Sequence, residues 1–187
     1  MIITVLDTET TGLKTEKGDR VIEIALVGFS INIVNQKEVP KEVFRVERRF
    51  NPHKSIDPKA QQVHGISQAD LVGKPEFKEC EPLITKVFDK SDLIVAHNLD
   101  FDANFIFNEY SLIGKTLPDV QGFCTMSEGR WATSTGKNPN LRELCYCLDV
   151  EYNPDEAHAA LYDVLKTAEC FFRGVELGGY NVKELLK

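Results

Sequence analysis

Two acidic side chains follow the first apolar run of the chain, in the segment Asp7-Thr-Glu9-Thr-Thr-Gly12. The preceding residues 2–6 are apolar and rich in β-branched side chains, which predicts a strand. Because side chains alternate along a strand, Asp7 and Glu9 share one face, with Cα atoms roughly 6–7 Å apart. Carboxylates at that spacing can share hard divalent cations, and two such ions can clamp a scissile phosphate. A polar turn that only closes the strand is the alternative interpretation.

A second acidic group follows the strand-like run 93–96, in the segment His97-Asn-Leu-Asp100-Phe-Asp102. Residues 101–113 have the apolar spacing of a helix, so Asp102 falls in its first turn, where the helix dipole favours a carboxylate. We expect Asp100 to be the N-cap of this helix. We interpret His97 as a hydrogen-bonded structural histidine in preference to a metal ligand.

The third group is His158 and Asp163, in the segment His158-Ala-Ala-Leu-Tyr-Asp163. Five residues of helix turn through roughly 500°, which would leave the two side chains about 140° apart. They serve one site if His158 lies on the loop before a helix at residues 159–172 and Asp163 lies in its first turns. Turn-forming residues at 154–156 allow this placement. A neutral histidine there can accept a proton from water near neutral pH, whereas an ordinary surface or core histidine is the alternative.

The order of these groups, Asp-x-Glu, His-Asn-x-x-Phe-Asp and His-x4-Asp, resembles that of the DnaQ-like (DEDDh) 3′-5′ exonucleases over residues 2–172. The segment Val63-His64-Gly65-Ile66 is also similar to the His-Gly-Ile segment of that family. A sister subgroup carries Tyr four residues before its last Asp, where this chain has Ala159, so the histidine subgroup is indicated and Tyr162 is not a substitute base.

The resemblance implies an α/β, ribonuclease H-like fold, with a mixed five-stranded sheet flanked by helices and one exonuclease domain over residues 1–187. It implies hydrolysis of terminal phosphodiesters at single-stranded or frayed ends to nucleoside 5′-monophosphates, with two divalent cations, Mg²⁺ or Mn²⁺, as cofactors. Residue by residue, it assigns metal binding to four acids and the general base to a histidine, the five catalytic residues being Asp7, Glu9, Asp102, Asp163 and His158. The substrate contacts that it implies are Thr8, Glu9, Thr10, His64 and His158.

The expected partners are the 3′ ends of single-stranded DNA or RNA, with DNA favoured, and either a DNA polymerase subunit or a second copy of the chain. Some positions depart from the family pattern. Lys59 stands five residues before His64, where relatives of the proofreading type often carry Glu, so a contact to the terminal sugar is in doubt. Trp131 is expected to cap the core in preference to stacking on a base. The basic residues of a predicted edge strand, Arg45, Arg48 and Arg49, are expected to protect that edge against aggregation.

Two other functions fit parts of the pattern. In an aspartyl-phosphate-type phosphatase, Asp7 would be the nucleophile and Glu9 an acid or base, but His158 and Asp163 would have no role. A non-catalytic nucleic-acid-binding module on the same fold would usually lack an acid or the histidine, and this chain has all five residues.

The elements that must position these residues are strands first and then helices alternating with strands, which predicts a mixed α/β sheet. The predicted strands are residues 2–6, 21–29, 31–34, 44–50 and 93–96, and the early ones form an antiparallel meander. The predicted helices are residues 82–88, 101–113, 141–148 and 159–172, with Gly174 as a stop after the last and residues 132–140 as a loop.

Composition sets the remaining bounds. The 187 residues are 42% hydrophobic and 27% charged, which is typical of a globular protein and excludes collagen, coiled coil and disorder. A net charge of −7 argues against a broad basic face that coats nucleic acid, but it is compatible with a site that holds phosphate through metal ions. No apolar run reaches the roughly 20 residues of a membrane span and no secretory signal is evident, so we expect a cytoplasmic protein. The five scattered cysteines predict reduced thiols.

Overall fold

Five strands form one mixed sheet in the order β3-β2-β1-β4-β5. The computed structural model describes residues 1–34 and 37–181, without the side chains of residues 32–34, 37 and 38. Strands β1, β2 and β3 are antiparallel neighbours, whereas β4 lies parallel to β1 and β5 parallel to β4. This arrangement confirms the predicted mixed five-stranded sheet and its antiparallel opening. The strands are β1 (Ile2–Thr10), β2 (Val21–Val34), β3 (Lys37–Arg49), β4 (Leu93–Ala96) and β5 (Gly122–Cys124).

Six α-helices accompany the sheet in the described residues, together with short 3₁₀ turns. Alternate side chains of β1 pack into two different hydrophobic cores, because both faces of the strand are covered. Leu6 packs in the core formed with α3, beside Phe105, and Val5 packs in the core formed with α6, beside Phe171. The helices are α1 (Pro58–His64), α2 (Phe77–Phe88), α3 (Leu99–Leu112), α4 (Thr125–Glu128), α5 (Leu141–Cys147) and α6 (Ala160–Glu176).

The strands differ from the prediction in several places, since β1 continues to Thr10 and β3 already begins at Lys37. Residues 31–34 are the end of β2 and not a separate strand, because no glycine or proline turn interrupts the chain after residue 29. The fifth strand is instead β5, which has only three residues and buries only Phe123. Its pairing with β4 defines it, and so short a segment carries little periodicity of its own.

The helix boundaries also need correction. α2 begins at Phe77 and contains Pro82, where the prediction began, and the side chain of Glu79 caps it by accepting a hydrogen bond from the Glu76 backbone at 2.7 Å. α3 begins at Leu99, so the N-cap is Asn98, in a left-handed conformation with φ 74°, and the prediction that Asp100 caps this helix is wrong.

α6 runs past Gly174 to Glu176, so the prediction of a stop at that glycine is wrong. The glycine allows close packing: a Cβ at residue 174 would lie 2.1 Å from Cε2 of the Tyr180 ring. The helix therefore continues through Gly174, because the absence of a side chain at this residue leaves room for the Tyr180 ring, which packs on the helix.

All five cysteines are free thiols, and Sγ of Cys145 on α5 lies 3.4 Å from Sγ of Cys170 on α6. Cys147, two residues after Cys145, is exposed, as the helical spacing predicts. Across the described ranges, every helix is too short or too polar to pass through a bilayer.

Candidate active site

Strand β1 presents two acidic side chains on the face that packs against α6. Ile3 and Val5 are buried on this face beside Val164 of α6. Alternation along the strand carries Asp7 and Glu9 to the same face, near the end of β1. The hydrophobic packing of the strand on α6 therefore sets where both carboxylates lie.

Helix α6 adds a third carboxylate to this pair. Asp163 lies in the first turn of α6, and Asp7, Glu9 and Asp163 each offer a carboxylate oxygen within 4.8 Å of the other two. Oδ2 of Asp163 accepts a hydrogen bond from the backbone N–H of His158 at 3.3 Å. Oδ1 of Asp163 is buried and finds no hydrogen-bond partner in the described part of the chain. The three acids thus form one compact group with an unsatisfied acceptor.

Helix α3 packs on the other face of β1 and brings in the fourth acid, Asp102. Asp102 is 2% exposed, and its Oδ1 accepts hydrogen bonds from the backbone N–H of Thr8 at 2.9 Å and from the Thr8 hydroxyl at 2.7 Å. It lies outside the group of three, but its charge helps to raise the pKa of Asp7. The Thr8 hydroxyl is engaged in holding Asp102, and its contact with substrate stays a prediction.

Burial raises the pKa values of all four acids, and repulsion by neighbouring acids adds to the rise at Asp7 and Glu9. Burial, reinforced by the charge of Asp163, raises the pKa of Glu9 to about 8. Burial, reinforced by the charges of Asp102 and Glu9, raises the pKa of Asp7 well above its usual value. Burial raises the pKa of Asp102 to about 7 although the hydrogen bonds from Thr8 oppose the rise, and burial raises that of Asp163 against the charge of His158.

These features fit divalent cations. Mg²⁺ and Mn²⁺ prefer oxygen ligands, and carboxylates are the only ligand type in the group of three. A bound cation would satisfy the free Oδ1 of Asp163 and remove the repulsion that raises the pKa values.

His158 lies on the turn that directly precedes α6, as its spacing from Asp163 predicts. It is exposed and left-handed, with φ 63°. The loop before it is fixed to α6: the backbone N–H of Asn153 donates to Oη of Tyr162 at 2.5 Å, and the rings of Tyr152 and Tyr162 pack edge to face. The turn that carries His158 is therefore held against α6, beside the acids. The role of His158 as general base stays a prediction.

His64 is the last residue of α1, which ends at Gly65 with φ 72°. Its Nδ1 accepts a hydrogen bond from the backbone of Ile66 at 3.0 Å, and within the described ranges its buried Nε2 has no partner. Burial lowers the pKa of His64 and the charge of His158 acts in the same direction, so the two histidines lie near each other. Lys59 is exposed in the first turn of α1, and the Thr10 hydroxyl donates to the carbonyl of Gly12 at 2.6 Å.

His97 and Trp131, for which the sequence allowed a structural or a functional role, both make contacts within the fold. Nδ1 of His97 lies 3.0 Å from the hydroxyl of Thr125, and burial lowers the pKa of His97 to about 4, so its ring is neutral. Trp131 packs edge to face on Tyr180 and covers Gly179, where a Cβ would lie 2.0 Å from the indole ring. Both arrangements agree with the structural interpretation.

One buried acid near the site escaped the sequence analysis. Glu23 on β2 lies opposite Glu9 in the register of β1 and β2, and its charge helps to raise the pKa of Glu9. Oε1 of Glu23 accepts from Nε of Arg49 at 2.5 Å, and Arg49 is its register partner on β3. β3 is an edge strand, as expected, but Arg49 also neutralises Glu23. The sequence does contain a signal for this residue, because Glu23 is the one acid in the apolar run 21–29.

The fold and the acidic site together define a nuclease-type hydrolase domain, and comparisons with known proteins give the family. A family model described as exonuclease matches residues 4–171. The chain is 30% identical over 174 residues to the DNA polymerase III subunit epsilon of Escherichia coli, covering 89% of this chain and 68% of that protein. It is 33% identical over 169 residues to a DNA polymerase III subunit epsilon-like protein of Rhodobacter capsulatus, covering 90% of this chain and only 23% of that protein.

Solved structures share the fold. Exonuclease X in complex with 5′ overhanging duplex DNA matches with a TM-score of 0.67 at 24% identity, covering 98% of this chain and 97% of that chain. The nuclease domain of 3′hExo, a DEDDh family member bound to rAMP, matches with a TM-score of 0.72 at 14% identity, covering 95% and 92%. The chain belongs to the exonuclease family. This confirms the resemblance to DnaQ-like exonucleases and the expected ribonuclease H-like fold.

Proposed function

We propose that this domain is a metal-dependent 3′-5′ exonuclease that hydrolyses the terminal phosphodiester of single-stranded or frayed ends, releasing nucleoside 5′-monophosphates. The observation that carries the proposal is the convergence of Asp7, Glu9 and Asp163 within 4.8 Å. The buried Asp102 stands beside them. DNA is the favoured substrate because the curated relatives named above are DNA polymerase subunits or similar to one.

Asp7, Glu9, Asp102 and Asp163 would hold two divalent cations, which supply positive charge for the scissile phosphate and activate water. His158, on the exposed turn beside Asp163, takes the proton of the attacking water. His64 lies near His158 and contacts the terminal nucleotide together with the Thr8–Thr10 segment. Thr8 also orients Asp102 through its two hydrogen bonds.

Two kinds of partner follow from the same proposal. The similarity to epsilon subunits makes a DNA polymerase the first candidate, and a second copy of the chain is the other. A phosphatase with Asp7 as nucleophile is disfavoured, because Asp163 and His158 would then lie beside the reacting group without a role.

Time courses on end-labelled DNA and RNA strands of one sequence test the proposal, with Mg²⁺, Mn²⁺ or EDTA. We expect stepwise shortening from the 3′ end with either metal, faster on DNA, and no products with EDTA. Asp102→Asn should lower the rate at least about 1,000-fold, because a lost metal ligand costs several kcal/mol at the transition state. Asp100→Asn is the matched control on the same helical turn, since Asp100 is exposed. Normal rates in EDTA would contradict the metal-dependent mechanism.

A further inference from the structure

A polar groove lies between the loop around residues 133–137 and the outer face of α5. It is an open cavity of about 540 Å³ lined by hydroxyl, amide and charged side chains. That volume is within the roughly 300–1,000 Å³ of pockets that hold ligands of nucleotide size. Bonds within the loop fix its shape: Nε of Arg130 donates to the carbonyl of Gly136 at 2.8 Å, and the Thr133 hydroxyl donates to the carbonyl of Lys137 at 3.1 Å. The groove is therefore preformed.

Arg142 is an unpaired cation in this groove. The chain has seven arginines, and six of them make an ion pair or a hydrogen bond within the described ranges. In those same ranges, Arg142 has neither, and it is exposed. Glu143 does not neutralise it, because its carboxylate already accepts from Nζ of Lys137 at 2.6 Å and from the backbone of Asn140 at 3.0 Å. A free guanidinium suits bidentate contact with a phosphate.

Tyr146 gives the groove an aromatic surface beside this cation. It follows Arg142 by four residues on α5, so the two side chains are neighbours on one helix face. It is 87% exposed, the highest value among the large hydrophobic side chains. Exposed aromatic rings next to cations are typical of surfaces on which the bases of single strands stack.

The groove is close to the acidic site. The inner face of α5 packs on α6 through Cys145 and Cys170, and α6 carries Asp163. Tyr152 packs against this cluster between α5 and α6, and its ring lies edge to face on Tyr162, the residue next to Asp163. A helix is about 10 Å across, so a strand of a few nucleotides spans the distance from the acids to the groove.

We propose that this groove holds the sugar-phosphate backbone of the substrate strand a few nucleotides upstream of its 3′ end. Arg142 contacts a phosphate and Tyr146 stacks on a base. This inference rests on the proposed function, because the ligand is the strand whose end lies at the acids. It also explains how a chain with a net charge of −7 binds a polyanion without a broad basic face.

The test compares a substrate that reaches only the acids with one that reaches the groove. These are the p-nitrophenyl ester of thymidine 5′-monophosphate and a dT12 strand, both with Mg²⁺. In Arg142→Ala, the ratio of kcat/KM for dT12 to kcat/KM for the ester should fall about tenfold, through KM. The slope of log KM against log salt for dT12 should decrease by about 0.7, because one phosphate contact is lost. Tyr146→Ala should lower the ratio without changing the slope.

Arg173→Ala is the control, since Arg173 is ion-paired with Glu176 near the other end of α6. An unchanged ratio and slope in Arg142→Ala would overturn the groove proposal while leaving the exonuclease intact. If the wild type cleaves neither substrate, the proposed function fails, and fluorescence anisotropy of labelled dT12 with Ca²⁺ still decides the groove. Equal Kd values for wild type and Arg142→Ala would then refute it, and about tenfold weaker binding by the variant would support it.

Discussion

The carboxylates of Asp7, Glu9 and Asp163 lie so close together that their negative charges repel one another. Each offers an oxygen within 4.8 Å of the other two, and the Glu23 carboxylate, although paired with Arg49, adds to the rise in the pKa of Glu9. Hydrogen bonds from Thr8 oppose the rise in the pKa of Asp102 and the charge of His158 opposes that of Asp163, but burial keeps both pKa values raised. At the scale of single residues, the acids are arranged so that bound cations would balance their negative charge.

The same scale gives a prediction for His158. Replacing His158 with Asn should lower kcat by a factor of about 10²–10⁴, because the amide cannot accept the proton of the attacking water. Asn tolerates the left-handed backbone of this residue, so the turn should stay intact. The affinity for Mn²⁺, measured by calorimetry, should change little. The matched control is His53→Asn, at another exposed histidine with positive φ. Normal turnover by His158→Asn at neutral pH would refute the base assignment.

At the scale of elements, packing between β1 and α6 decides where the acids meet. Ile3 and Val5 on the strand and Val164 on the helix belong to one buried cluster, so the two elements cannot shift without separating the carboxylates. Tyr180 extends this cluster to the last turns of α6 by packing on Gly174. The C-terminal half of the helix thus anchors the half that carries Asp163.

Gly174→Ala tests that anchor. Alanine would favour the helix by about 1 kcal/mol, but its Cβ would lie 2.1 Å from the ring of Tyr180. We expect net destabilisation of about 1–3 kcal/mol by overpacking, seen as a lower urea midpoint. The clash should vanish when Tyr180 is also replaced by Ala, so the second substitution should convert the cost of Gly174→Ala into a gain. A cost that is equal in both backgrounds would exclude the clash as its cause.

The sequence predicts the positions of the three clustered acids better than it predicts the element boundaries. Alternation along β1 and the start of α6 are local rules, and they place Asp7, Glu9 and Asp163 correctly on facing elements. The outcomes at Gly174 and β5 are decided by tertiary contacts, with the Tyr180 ring and with strand β4, which helix and strand periodicity do not contain. Glu23 was missed because an acid inside an apolar strand is explained only by its cross-strand neighbours, Glu9 and Arg49.

At the scale of the whole molecule, the raised pKa values link stability to pH. In the folded chain the pKa of Glu9 is about 8 and that of Asp102 about 7, above the roughly 4 of carboxyls in an unfolded chain. The folded state therefore holds these protons more tightly, and the stability they contribute is fully present below about pH 4, falls as the pH rises above that value, and is lost once the pH has passed 7 and 8.

The thermal midpoint of the metal-free protein should accordingly fall by about 2–8 °C between pH 5.5 and pH 8.5, a loss of about 1–2 kcal/mol. Mg²⁺ binds the ionised acids, so it should raise the midpoint more at pH 8.5 than at pH 5.5. Asp163→Asn should flatten the pH dependence by removing one charge from the group. Scanning calorimetry with and without EDTA measures all three. A midpoint that rises with pH in EDTA would contradict this account.

The central claim is that the acids act on the 3′ end of a strand, and a matched pair of substrates tests it most directly. One is a linear single strand of DNA labelled at its 3′-terminal nucleotide, and the other is a circle of the same sequence. With Mg²⁺, the account predicts that the first labelled product from the linear strand is a nucleoside 5′-monophosphate and that the circle stays intact. Cleavage of the circle at a comparable rate, or first release from the 5′ end, would contradict it.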